Sequence, residues 1–212
     1  MTDTFFLPPD DPDLDKGYIT GREYMNGVVT GVKTISSKMK TNVVFSGVGR
    51  DKDGAATDGT NVYLPQQDPE AVMTHREVAI GRGYGNHEAL HQILTDMPEW
   101  HRWAGEMTEK GLEWTKGMGN AIEDVRIEHG GLTLYPGIAK SIDKTVEAIT
   151  RRAAETFREK PELKDDMVAP LPLAVTWAGR IRMGYPSEAL HTAFSHLSQE
   201  IQDRANKITD VI

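Results

Sequence analysis

The sequence contains no cysteine, which excludes disulfide bonds, cysteine-ligated metal ions and thiol catalysis. Any bound metal ion would therefore be held by histidine, aspartate or glutamate. The sequence also contains no apolar run of about 18 residues, so we expect no membrane span. The segment Met1–Pro9 is neither basic nor continuously apolar and is not expected to be a signal peptide. These absences together predict a cytoplasmic protein that does not act at a membrane.

Runs of lysine and arginine are also absent, and the net charge of the chain is −8. A chain of this charge without a basic patch is not expected to bind nucleic acid. Its 212 residues, of which 38% are hydrophobic and 26% charged, are ordinary for a globular protein. This length suffices for a sizeable core, and we expect a single domain over residues 1–212.

The most informative segment is Asn86–His91, which contains the motif His-Glu-x-x-His. Residues four apart lie on the same face of a helix, so His87 and His91 can direct two imidazoles at a single ion. Glu88 lies about 100° around the helix from His87, within reach of a water molecule bound to that ion. This is the arrangement that a hydrolytic zinc site requires. Since a surface helix can carry these residues by chance, the interpretation depends on a third ligand.

The segment Asn120–Glu128 is the best source of that ligand, because it reads as an amphipathic helix with acidic residues beside its apolar face. At 100° per residue, Asp124 lies next to the apolar arc and Glu123 nearly opposite it. This favours Asp124 as the third ligand, with Glu123 as the alternative. Glu128, one turn further on, could orient a ligand histidine, and Asn120 could do the same from the turn before. The competing interpretation is a helix with an acidic edge.

Hydrophobic periodicity predicts an α+β chain that is mostly helical in its second half. The regions expected to be regular are a helix over 22–40, strands over 42–47 and 61–65, a helix from about 68 to 80, a helix through the motif to 94 or 95, and helices near 120–128, 139–158, 171–183 and 187–209. Glycines at 81, 83 and 85 and at 117, 119, 130 and 131 are expected to kink or end helices. Pro65 suggests that the strand before it lies at a sheet edge, where it could pair with an extended peptide or simply cover the core.

Three segments, in this order, resemble the metallopeptidase-like region of the cobaltochelatase T-subunit-like proteins, which bacteria and phages encode. They are Asp58–Pro65, Gly83–His91 with Thr95–Asp96, and Asn120–Glu128. The resemblance spans roughly residues 42–130. It implies a zincin-like metalloprotease core with a small sheet and an active-site helix. Composition predicts an extended arm over 1–17 before this core, and periodicity predicts a helical extension over 131–212 after it.

The same resemblance implies Zn²⁺ on His87 and His91 with Glu88 as the base, and it leaves the third ligand open between Glu123 and Asp124. Relatives often carry a von Willebrand A-type domain and work with a ring-forming ATPase, so either kind of protein is an expected partner. We therefore expect a zinc-dependent metallopeptidase that hydrolyses a peptide or protein substrate with a metal-activated water. The alternative is a non-catalytic zincin-scaffold binding module or a regulatory subunit of a ring ATPase assembly.

Overall fold

The computed structural model describes residues 15–36, 41–46, 54–164 and 169–210. Within these residues the fold is α+β and mostly helical, as predicted. The helices are α1 (Gly21–Ile35), α2 (His75–Leu94), α3 (Met97–Glu109), α4 (Trp114–Leu134), α5 (Ala139–Glu159), α6 (Leu171–Arg182), α7 (Glu188–Ser195) and α8 (Gln199–Thr209). The strands are β1 (Gly17–Thr20), β2 (Asn42–Phe45), β3 (Ala56–Thr57), β4 (Asn61–Leu64) and β5 (Val72–Thr74). None of these helices is long and apolar enough to cross a bilayer.

The chain divides into two compact units. The first consists of the described parts of Met1–Leu94 together with Leu134–Thr145, and the second consists of Thr95–Thr133 together with the described parts of Val146–Ile212. The first unit holds all five strands with α1 and α2, and the second holds α3, most of α4 and the C-terminal helices. The organisation of residues 1–212 as a single domain stays a prediction, and most of the expected arm over 1–17 lies outside the described residues.

The core of the first unit is built on α1. A capping box begins this helix: Thr20 Oγ1 accepts the backbone N–H of Glu23 at 3.3 Å, and the Glu23 carboxylate accepts the N–H of Thr20 at 2.8 Å. Four apolar side chains, at helical spacing, form its buried face, namely Tyr24, Val28, Val32 and Ile35. The predicted helix over 22–40 is thus confirmed as far as Ile35, and its last residues, 37–40, lie outside the described chain.

The three-stranded sheet has the order β2-β4-β3. β2 runs parallel to β4, with Val43 opposite Val62, and β3 runs antiparallel to β4. The expectation that the strand before Pro65 lies at a sheet edge was therefore wrong. Pro65 follows the last residue of β4, so its missing N–H removes no ladder hydrogen bond. Among the described strands, β2 and the two-residue β3 are the edges of this sheet.

A helix predicted to start at Asp68 is replaced by a turn and a strand. The Asp68 carboxylate accepts the backbone N–H of Glu70 at 3.0 Å, and β5 then pairs antiparallel with β1. The helix begins only at α2, where Thr74 Oγ1 accepts the N–H of Glu77 at 3.2 Å and the Glu77 carboxylate accepts the N–H of Thr74 at 2.7 Å. This reciprocal capping pair satisfies two backbone donors, whereas Asp68 satisfies one.

α2 also continues without a break through its three glycines, contrary to the predicted kink. A Cβ at Gly83 would overlap the Thr145 side chain and the Ser141 backbone, and a Cβ at Gly85 would lie 2.9 Å from Val28. The glycines are therefore sites of close packing within the first unit. Burial of their neighbours outweighs the entropic cost of glycine in a helix.

In the second unit, α4 is one continuous helix through the glycines that were expected to end it. Close packing accounts for one of these glycines, since a Cβ at Gly119 would overlap the ring of Trp103. The chain breaks instead before α4, at Gly111, where φ is +68°. The single helix expected over 187–209 is two helices, because Ser198 accepts the N–H of Ile201 and starts α8.

The core of this unit gathers around α6. The ring of Trp177, which is fully buried, meets that of Phe157 edge to face with centroids 6.2 Å apart. Gly179 lets Val125 of α4 pack closely against the α6 backbone. α4 is therefore held on α6 at the level of the residues between Ala121 and Glu128, which include the predicted third ligand.

Candidate metal centre

The two motif histidines lie one turn apart on α2. The rings of His87 and His91 meet edge to face, with centroids 5.0 Å apart and planes at 80°. Glu88, between them in sequence, is only 7% exposed. The helix thus carries two imidazoles side by side together with a largely buried carboxylate.

Four side chains of the first unit position this part of α2. Asn86 Nδ2 donates to Ser141 Oγ at 2.7 Å, immediately before His87. Gln92 Nε2 donates to Thr57 Oγ1 at 2.6 Å, immediately after His91. These contacts hold both ends of the motif to other elements of the unit, α5 and β3. Such supports restrict the rotation and shift of a ligand-bearing helix.

The predicted alternatives for the third ligand differ in their contacts on α4. Glu123 accepts two hydrogen bonds from Arg126, Nε to Oε2 at 2.7 Å and Nη2 to Oε1 at 2.6 Å. Its Oε1 also accepts a short hydrogen bond from the Thr95 hydroxyl. The side chain of Glu123 is 16% exposed, so it does not point away from the protein as the helical wheel suggested. These partners tie Glu123 to the start of the second unit.

Asp124, the next residue of α4, accepts a hydrogen bond from a side chain of the same helix. Asn120 Nδ2, one turn earlier, donates to its Oδ2 at 3.2 Å, so Asn120 supports Asp124 itself. The side chain of Asp124 is half-buried. The Glu123 carboxylate is engaged by a guanidinium and a hydroxyl, which reduces its capacity to accept a metal ion. Asp124 as the third ligand stays a prediction.

Glu128 is fully buried, and its described contacts go to two residues of the C-terminal half. Arg180 donates from Nε to Oε2 at 2.9 Å and from Nη2 to Oε1 at 2.7 Å, and the Tyr185 hydroxyl donates to Oε2 at 2.8 Å. Burial opposes the charge of Arg180, but the charge and hydrogen bonds of Glu128 outweigh it, so that the pKa of the guanidinium is raised above its usual value. Orientation of a ligand histidine by Glu128 stays a prediction.

The predicted metal ligands come from two helices, His87 and His91 from α2 and Asp124 from α4. Two imidazole nitrogens and one carboxylate oxygen form a donor set that suits zinc. Zinc binding by these three residues stays a prediction.

Arg180 and Tyr185 are the residues that sequence reasoning missed. They lie 52 and 57 positions after Glu128, and no local pattern relates them to it. A separate open cavity of about 590 Å³ in the second unit is lined by residues of α6, α7 and α8, among them His191. None of the predicted site residues lines this cavity.

Comparison with known proteins identifies one family. A family model described as "Cobalamin biosynthesis protein CobT" matches residues 23–205, a range that includes the motif of α2 and all of α4 to α7. No curated protein and no solved structure matches the chain. The match bears out the family likeness that the three sequence segments indicated. A zincin-like core and metallopeptidase activity stay predictions.

Proposed function

The chain belongs to the family of the cobalamin biosynthesis protein CobT, and from this premise we propose that it is a metal-binding subunit of a protein assembly. In that role it acts as a binding module or as a regulatory subunit of a ring-forming ATPase. The observation that carries the proposal is the extent of the family match, which covers residues 23–205 and thus parts of both units. A match of this extent favours the family's role for the chain as a whole over an isolated peptidase motif.

We further propose that His87, His91 and Asp124 hold one Zn²⁺ ion. The donor set and the absence of cysteine support this ion. In a subunit role, the bound ion would stabilise the fold and fix the orientation of the side chains that hold it. Asn86 and Gln92 would keep the two imidazoles in place, and Asn120 would do the same for the carboxylate.

The edge strand β2 offers a surface for a partner. Among the described strands, β2 has a neighbour on one side alone, β4. Its residues alternate in exposure, with Val44 36% exposed. An extended segment of a partner protein could pair with such an edge through main-chain hydrogen bonds. This exposed edge supports a binding role whether or not the metal site is catalytic.

A second candidate function is metal-dependent peptide hydrolysis, favoured by the position of Glu88 between the two histidines on α2. Bound zinc would supply a Lewis acid and lower the pKa of a water molecule. Glu88 would accept the proton from the attacking water at its carboxylate and return it to the leaving amine. Three groups close in sequence to Asp124 could stabilise an oxyanion. Arg126 is engaged with Glu123, Tyr135 donates weakly to the Ile35 carbonyl at 3.4 Å, and His129 is exposed.

One set of variants tests which residues hold the metal ion. Zinc content is measured by mass spectrometry in the wild-type protein and in H87A, D124N and E123Q. We expect about one zinc per chain in the wild type and in E123Q, and a large loss of zinc in H87A and D124N. Absence of zinc from wild-type protein prepared in zinc-replete medium would exclude the site, and retention of zinc by D124N would exclude the assignment of Asp124.

The E88Q variant separates the two functions, because it leaves the metal ligands in place. If the protein is a subunit, E88Q retains zinc and binds the purified ring-forming ATPase of the same organism with wild-type affinity. Neither protein then cleaves unfolded casein. If the protein is a peptidase, the wild type cleaves casein and E88Q loses at least about 10²-fold in rate. Zinc-dependent cleavage that E88Q abolishes would overturn the non-catalytic proposal.

A further inference from the structure

The hairpin formed by α3 and the start of α4, in the second unit, holds most of the tryptophan of the chain. Three of the four tryptophans belong to it, namely Trp100, Trp103 and Trp114. The structure describes every residue from 95 to 120, and none of them is buried. Trp114 is 60% exposed, and Leu112 beside it is 38% exposed. Accessible aromatic side chains gathered in this way are typical of a surface that binds a partner.

The aromatic side of α3 packs around Gly119 of α4. The ring centroids of Trp100 and Trp103 are 5.2 Å apart, and both rings lie against the place that a Cβ at Gly119 would occupy. Each tryptophan is nevertheless only half-buried. Side chains that are already held in position lose little conformational entropy when a partner covers them. The hairpin therefore offers a preformed contact surface.

A row of charged side chains lies beside these rings on α3. The charged row follows one face of the helix, at spacings of three, four and four residues, and consists of Glu99, Arg102, Glu106 and Lys110. Arg102 donates to Glu99 and, at 2.5 Å, to Glu106, and the Lys110 ammonium lies 3.7 Å from Glu106. All four side chains are exposed. Trp103 follows Glu99 by about one helical turn, so the aromatic side borders the charged row.

The charged row is complementary to itself in reverse order, because its signs alternate from negative to positive. When two copies of α3 lie antiparallel about a two-fold axis, Glu99 of one copy faces Lys110 of the other. Arg102 of one copy then faces Glu106 of the other. Such self-complementarity is what a two-fold interface requires. Exchanging ion pairs within a chain for pairs between chains costs little, because exposed ion pairs contribute little to stability.

We propose that α3, together with Leu112 and Trp114, is the contact surface of a symmetric dimer of this chain. The second copy covers the aromatic side, and the charged row sets the antiparallel direction. Leu112 and Trp114 follow Lys110 in the chain, so they lie at the two ends of the contact, near the start of α3 of the other copy. This inference goes beyond the proposed function and does not depend on the metal site.

The test is sedimentation velocity of the full chain over a range of protein concentrations. Two variants give the charged row a single sign: R102E/K110E makes it acidic, and E99K/E106K makes it basic. We expect each to dimerise at least about 10-fold more weakly than the wild type, because like charges then face each other. An equimolar mixture of the two variants should regain the dimer, since an acidic row then faces a basic one. This rescue is specific to the antiparallel arrangement of two α3 helices.

A third variant, W114A, removes the most exposed aromatic ring of the surface, and it should also weaken the dimer at least about 10-fold. The matched control is R204E/K207E, which removes two exposed cations from α8, among them the Arg204 that donates to Glu200 at 2.7 Å. The control changes the net charge as R102E/K110E does, and it should dimerise like the wild type. Circular dichroism checks the fold of each variant.

Three results overturn the inference: a wild type that stays monomeric at every concentration, wild-type dimerisation of both single-sign variants, or a mixture of these variants that stays monomeric. If the wild type is monomeric and W114A instead weakens binding of the ring-forming ATPase, the surface serves that partner and not a second copy. If a single-sign variant does not fold, W114A decides: wild-type dimerisation of W114A overturns the inference, and weaker dimerisation supports it. Zinc content is measured separately, so loss of the metal site leaves the inference standing.

Discussion

Asn86 donates a hydrogen bond from its side-chain amide to the hydroxyl of Ser141 at 2.7 Å, one residue before the first histidine of the motif. The Ser141 hydroxyl in turn donates to the carbonyl of Ile138 at 2.8 Å. α2 is thereby tied to the start of α5 next to the candidate metal centre. The position of His87 thus depends on a residue that lies outside the motif.

The first prediction concerns this contact. N86A and S141A should each lower the free energy of unfolding by about 1 kcal/mol, because each removes a partner of a partly buried hydrogen bond. The two losses should not add in the double variant, since both remove the same interaction. N86A should also weaken zinc binding. Urea unfolding and zinc titration measure both effects, and full additivity would show that the two residues do not act together.

The second prediction concerns the glycines of α2. G83A should lower the free energy of unfolding by about 1–3 kcal/mol, because its Cβ would overlap Thr145 and the Ser141 backbone. The matched control is G27A on the exposed side of α1, where nothing lies within 4 Å of the added Cβ. There the same change should raise stability by about 0.4–1 kcal/mol. Equal stability of G83A and the wild type in chemical denaturation would contradict the packing described for α2.

The third prediction concerns acid. The carboxylate of Asp58 accepts the backbone N–H groups of Asn61 at 2.6 Å and Thr60 at 2.8 Å, the side-chain amide of Asn61, and the hydroxyl of Tyr63. These hydrogen bonds, led by the backbone N–H of Asn61, hold the pKa of Asp58 well below its usual value of 3.8. A lowered pKa stabilises the folded state above the unfolded value, and that stabilisation is lost as the pH falls through the folded value.

The wild type should therefore be more stable than D58N at pH 7, and the difference should shrink below about pH 4. Y63F, which removes one of the donors, should show the same trend to a smaller degree. The measurement is urea unfolding at a series of pH values. If the difference in stability between the wild type and D58N does not change with pH, the charge of Asp58 does not contribute to the free energy of unfolding.

Some elements could be predicted from the local sequence pattern, because the residues that specify them lie close together in the chain. The buried face of α1 follows the helical spacing of Tyr24, Val28, Val32 and Ile35. The sequence carries two helix-start signals here: Asp68 followed by proline, which predicts the earlier start, and the capping pair of Thr74 and Glu77. Two nearby start signals compete in that region. The pairing of β5 with β1, which brings together residues more than 50 positions apart, selected the later one.

The helix breaks that were predicted at glycines are the main error made from the local sequence pattern. The entropic cost of glycine predicts breaks in α2 and α4. Both helices continue, and neighbouring groups pack where a Cβ would have been at Gly81, Gly83 and Gly85 of α2 and at Gly119 of α4. Propensity is worth about 1 kcal/mol per glycine, whereas burial of a large apolar side chain is worth about 1.5–3 kcal/mol. The tertiary term is larger and cannot be seen in a window of neighbouring residues.

The sequence alone determined that His87 and His91 lie side by side on one helix, because the two residues are one turn apart. It also determined the family likeness, because three segments carry it in a fixed order. Only the tertiary structure decided how the acidic residues of α4 are used. Glu123 is held by Thr95 and Arg126, and Glu128 by Arg180 and Tyr185. Their partners come from other segments of the chain, and a carboxylate's role depends on which donors reach it in the folded protein.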